Sequence, residues 1–115
     1  MGTKDMYWYQ DFFISDNIKG SRKQIRTSVT KGRHLRPWFL VVLSDMPQEQ
    51  LEIIPVSMLR FAYYQKKNLV VLGVAKGYYY ARTMVEQMFS LVYRETGSCD
   101  VKQYFQEKIR GEVGE

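Results

Sequence analysis

Ala81, Met84, Val85, Met88, Leu91 and Val92 recur three and four residues apart, and this apolar stripe constrains the fold more than any other feature of the chain. That spacing sets all six side chains along one side of a helix. The stripe predicts a helix over about Tyr78 to Glu95, whose apolar side must be covered by another layer. Gly97 is placed to end it in a left-handed conformation.

The covering layer is read from two segments without helical spacing. Pro37 to Ser44 and Asn68 to Ala75 are apolar on both faces, as strands in a sheet interior are. Tyr7 to Ile14 reads as an aromatic-rich strand, followed by the turn chemistry of Ser15-Asp16-Asn17 and Lys19-Gly20-Ser21. Arg22 to Thr30 alternates: Arg22, Gln24, Arg26, Ser28 and Thr30 on one side, Ile25, Thr27 and Val29 on the other. Period two with β-branched residues predicts a half-buried strand, and Lys31-Gly32-Arg33-His34 then reads as a hairpin connection.

Ser44 or Asp45 can cap a helix with Pro47 in its first turn. Helical character extends to about Gln65, interrupted at Pro55, which lacks the N–H that a helix interior needs. Two short helices are expected, the second starting at Pro55. Asp100 can cap a last helix, with Gln103 three residues on as in a capping box, and Val101, Tyr104, Phe105 and Ile109 as its buried side. The order is therefore β-β-β-α-β-α-α. It predicts an α+β fold: a small mixed sheet of three to four strands with helices packed on one face. The 115 residues suit one domain, with residues 1–5 and 111–115 expected to be loose ends.

Charge is distributed unevenly. Lys19, Arg22, Lys23, Arg26, Lys31, Arg33 and Arg36 fall in one stretch without an acid, whereas the other ten cations are outnumbered by twelve acids. The net charge of +5 therefore comes from this one segment. Arg22, Lys23, Arg26, Lys31, Arg33 and Arg36 are the candidate residues for binding nucleic acid or another polyanion, because clustered cations can track phosphates. The competing explanation is that cations on an exposed strand keep sheet edges from pairing.

Lys76-Gly77 is a second candidate. A strand, a cation and a glycine leading into a helix start can hold a phosphate or carboxylate, although neither Gly-x-Gly-x-x-Gly nor a P-loop pattern is present. Lys76-Gly77-Tyr78-Tyr79-Tyr80 matches in part an aromatic RNA-contacting motif that works from a strand. The helical period from Ala81 onward argues against a flat platform here.

One cysteine, Cys99, and one histidine, His34, leave no disulfide framework, no cysteine-rich zinc site and no visible catalytic pair. No metal or cofactor is expected, and no enzymatic activity, with a small enzyme using the Lys76-Gly77 turn as its anion site as a further alternative. The first residues lack the apolar core of a secretory signal. The longest apolar run, Trp38 to Leu43, falls far short of the roughly 20 residues of a membrane span. A cytoplasmic protein without a membrane partner is expected. An acidic protein surface is the second candidate partner of the basic segment. Separately, Tyr7, Trp8, Tyr9, Phe12, Phe13, Tyr63 and Tyr64 exceed what one face needs, so a protein partner or a homodimer built on exposed aromatics is the alternative to a polyanion.

Ile53-Ile54-Pro55, Gly73-Val74-Ala75-Lys76-Gly77-Tyr78 and Arg94-Glu95-Thr96-Gly97, in that order, resemble a group of small uncharacterised proteins from Firmicutes, clostridial relatives especially. The similarity covers about residues 22 to 105. It implies a bacterial, cytoplasmic origin and carries no activity with it.

Overall fold

The computed structural model describes residues 6–31 and 37–113. The chain runs β1 (Tyr7–Ile14), α1 (Arg22–Thr30), β2 (Trp38–Leu43), β3 (Leu51–Pro55), a 3-10 segment (Val56–Arg60), α2 (Ala62–Gln65), β4 (Val70–Lys76), α3 (Tyr78–Thr96) and α4 (Val101–Glu112). The four strands form one mixed sheet in the order β1-β4-β2-β3. β1 runs parallel to β4, and β2 is antiparallel to both β4 and β3. The α+β class and the small mixed sheet are those read from the sequence.

Two segments differ from that reading. Arg22–Thr30 is a helix, not a strand. Ser21 closes a capping box: its Oγ accepts from the Gln24 N–H at 3.2 Å, and Gln24 Oε1 accepts from the Ser21 N–H at 2.9 Å. Ile25 and Val29, four residues apart, are the buried pair, so the three alternating apolar positions reduce to a helical two. The second difference is the helix expected from Ser44 or Asp45 onward: residues 44–50 hold no helix, and the stretch that follows, Leu51–Pro55, is extended. It is the edge strand that pairs with β2, from Phe39 opposite Pro55 to Leu43 opposite Leu51. Proline suits that end position, where no ladder N–H is required.

The helices cover both faces of the sheet rather than one. On one face Trp8, Phe12, Leu40, Val42, Ile54, Val71 and Val74 pack with Ile25 and Val29 of α1 and with Val56 and Leu59. On the other, Val41, Leu72 and Ala75 pack with Ala81, Met84, Met88 and Val92 of α3 and Val101 and Phe105 of α4. This is why β2 and β4 are apolar on both sides. β4 carries an irregularity: Val41 of β2 lies opposite Gly73, but Val42 lies opposite Val71. The extra residue resets the alternation, so Val71 and Val74 both face α1 while Leu72 and Ala75 both face α3.

The helix ends follow the sequence closely. Gly97 ends α3 at φ 75°, its N–H donating to Tyr93 O at 2.8 Å. Asp100 caps α4 through the Gln103 N–H, but the Gln103 side chain donates to Glu107 instead of completing a box. α4 extends through Gly111 and Glu112, where the sequence suggested the start of a loose tail.

Candidate functional site

β1 is an edge strand, and its pairing with β4 is broken between Trp8 and Phe13. Side chains take up backbone groups along this irregular stretch. The Phe12 carbonyl accepts from Arg22 Nε at 2.9 Å. The Gln10 N–H donates to both carboxylate oxygens of Glu112, at 3.2 and 3.1 Å. The Tyr7 hydroxyl donates to Glu112 Oε1 at 2.7 Å. That bond, with burial adding to it, raises the Tyr7 pKa above its ordinary value. The β1 edge is thus closed by a cation from α1 and a carboxylate from the end of α4.

Between these three elements lies a cleft of about 480 Å³. Arg22, Lys23 and Arg26 line it from α1, Tyr7 and Gln10 from β1, and Glu112 from α4. Arg22 and Arg26, four residues apart, flank the buried Ile25–Val29 seam. Their guanidinium groups lie 5.5 Å from the Phe12 ring centre and 5.8 Å from that of Trp8. Those rings are buried, so each arginine lays its planar head on an apolar floor and turns charge outward. Lys23 lies one step further round the helix and is exposed.

The electrostatics run against local helix rules. α1 opens with Arg22 and Lys23 and has no acid in its first turn, although the helix dipole disfavours cations there by about 0.3–1 kcal/mol each. Glu112 is the last residue of α4, where the same dipole disfavours a carboxylate. Two such exceptions meet in one cleft, which is where functional surfaces depart from local preference. Among the described residues, none of Lys19, Arg22, Lys23, Arg26 or Lys31 makes an ion pair within 4.0 Å; Lys67 and Asp45 do, at 3.2 Å.

The candidates read from the sequence are therefore partly assembled. Arg22, Lys23 and Arg26 share the cleft. Lys31 is exposed at the far end of α1 as its C-cap. Arg33 and Arg36, with the expected connection at Gly32 and His34, lie outside the described residues. The basic hairpin expected from the sequence is, in its described part, a basic helix. Gln10 and Glu112 were missed, and Tyr7 was singled out only as one of the surplus aromatics. Glu112 is 105 residues from Tyr7 along the chain, and the one local hint was an acid at a helix C-terminus.

The Lys76-Gly77 turn is held through its backbone. Lys76 N–H donates to Ser15 Oγ at 3.0 Å, Lys76 O accepts from Asn17 Nδ2 at 2.9 Å, and Gly77 N–H donates to Pro37 O at 2.9 Å. Gly77 adopts φ 110°, open to glycine alone. α3 begins at Tyr78, so Tyr78 to Tyr80 wind around a helix start and form no flat platform. All three are exposed, Tyr79 to 73%.

The early aromatics mostly serve the core. Trp8 and Phe12 are buried edge to face at 4.9 Å, and Tyr9 and Phe13 pack against Phe105. Cys99 is exposed. Among the described residues, no three His, Cys, Asp or Glu side chains gather as a metal ion would require, and no helix is long and apolar enough to cross a membrane. No family model, curated protein or solved structure matches the chain.

Proposed function

We propose that the protein is a non-enzymatic binding module whose α1 surface engages a polyanion, nucleic acid first, in a bacterial cytoplasmic setting. The observation that carries this reading is the convergence of Arg22, Lys23 and Arg26 on one cleft with, among the described residues, no ion-pairing carboxylate within 4.0 Å. Glu112, which shares the cleft, is bound to Tyr7 and Gln10 instead. Side chains that project positive charge together into water release counterions when phosphates replace those ions. Edge protection explains Arg22, which closes the Phe12 carbonyl. It does not explain Lys23, which closes nothing on β1.

Fluorescence anisotropy with single- and double-stranded oligonucleotides at low and moderate salt tests the reading. Binding should weaken steeply with salt, each neutralised phosphate adding about 0.9 to the slope on duplex DNA. The informative variant is Lys19→Glu/Lys23→Glu/Lys31→Glu, which reverses exposed charges and spares the two packed arginines. An absence of binding at low salt, or binding indifferent to the triple reversal, rejects it.

A second reading rests on Tyr78, Tyr79 and Tyr80, an exposed aromatic cluster that suits a protein partner or a second copy of the chain. Light scattering across protein concentration separates it from a monomeric nucleic-acid binder.

A further inference from the structure

The Glu112 carboxylate accepts three hydrogen bonds, one from the Tyr7 hydroxyl and a forked pair from the Gln10 N–H. Both donors are neutral. The cations that share the cleft, Arg22, Lys23 and Arg26, make no ion pair with it within 4.0 Å. An anion is thus already seated beside a basic surface, and it belongs to the last residue of a helix that disfavours it there.

We infer that the Tyr7 hydroxyl and the Gln10 amide form an anion position that takes a nucleic-acid phosphate, with Glu112 as its built-in competitor. The inference rests on the polyanion reading of α1 and specifies where on that surface one phosphate sits. A phosphate oxygen has the acceptor chemistry of a carboxylate oxygen. It meets the same two donors when the end of α4 withdraws, and its neighbours on the strand then run along Lys23 and Arg26. Closed, Glu112 occupies the donors and adds a negative charge to the cleft. Open, both obstacles leave together. Only the end of α4 beyond Ile109 has to move: Val101 and Phe105 are its buried anchors, Ile109 is half-buried against the same core, and Glu112 lies three residues further on. Apparent affinity then scales with the fraction of molecules in which the position is open.

The test uses the full chain and a labelled single-stranded oligonucleotide at low salt, with four variants. Glu112→Ala removes the competitor. Asp11→Asn, an exposed acid next to Gln10, is the control for simple loss of negative charge. Tyr7→Phe removes one donor without altering charge, and Glu112→Ala/Tyr7→Phe removes both competitor and donor.

Glu112→Ala should bind about tenfold more tightly, as expected if the position is closed in about nine molecules of ten. Asp11→Asn should gain much less. Adding Tyr7→Phe to Glu112→Ala should take back about threefold, the scale of one lost hydrogen bond. Binding that appears only in Glu112→Ala also supports the inference. Equal gains from Glu112→Ala and Asp11→Asn, or a gain untouched by Tyr7→Phe, overturn it and leave the polyanion reading standing. No binding by the wild type or by Glu112→Ala overturns both.

Discussion

The thioether sulfur of Met84 occupies the space that a Cβ on Gly73 would need. A Cβ there would also lie 3.3 Å from Met88 Cε and 3.3 Å from Phe13 Cβ. Gly73 is the site of the β4 irregularity, so the same residue admits α3 to the sheet and resets which side chains face which layer. Gly73→Ala should therefore cost about 1–3 kcal/mol through overpacking, and Met84→Ala about 2–5 kcal/mol through a cavity. Because the two share one space, Gly73→Ala/Met84→Ala should cost less than the sum. Urea denaturation of the three variants measures this, and strict additivity would refute the coupling.

Ser21 decides whether α1 starts where it does. Ser21→Ala deletes the acceptor for the Gln24 N–H and should cost about 0.5–2 kcal/mol. Amide exchange should rise first at Gln24 and Ile25. Uniform protection across α1 in the variant would show that packing of Ile25 and Val29 alone holds the helix.

Arg22 and Lys23 are adjacent cations with different work. Arg22→Ala loses the Phe12 carbonyl bond and the ring contact, and should cost stability of about 0.5–1.5 kcal/mol. Lys23→Ala touches neither and should stay within about 0.5 kcal/mol of wild type, while lowering the salt slope of duplex binding by about 0.9. Thermal melts with binding titrations separate the two roles. Equal effects of both substitutions on both readouts would contradict this division.

Tyr104 donates to Glu95 Oε1 at 2.6 Å. This bond, then burial, pushes the phenol pKa up to about 12, against roughly 10 in an unfolded chain. The folded state holds the proton more tightly, so the stabilisation is complete below about pH 10 and is lost as pH rises towards 12. An absorbance titration of tyrosinate should show a late component that Tyr104→Phe removes. A variant titrating like the wild type above pH 10 would disprove the assignment.

Much of the fold was legible because it rests on short-range pattern. The α3 stripe, the Gly97 stop, the Asp100 cap and the doubly apolar β2 and β4 follow from spacing and backbone chemistry that neighbours along the chain supply. The misreadings fell where two local signals compete. Arg22–Thr30 carries both alternation and an Ile25–Val29 spacing of four, and the Ser21–Gln24 box tips it to helix. In Leu51–Pro55 the helix formers Leu51 and Glu52 compete with the β-branched Ile53 and Ile54, and the edge of β2 decides for strand.

The concentration of cations between Lys19 and Arg36 was fixed by sequence alone, as was the scarcity of cysteine and histidine. Whether those cations share a surface was not. That depended on α1 lying along an irregular edge strand and on α4 ending beside it, which brings Glu112 to Tyr7 and Gln10. Charge is a property of composition. A cleft is made by chain segments that meet only after the sheet has buried its two apolar faces, and no local spacing encodes that meeting.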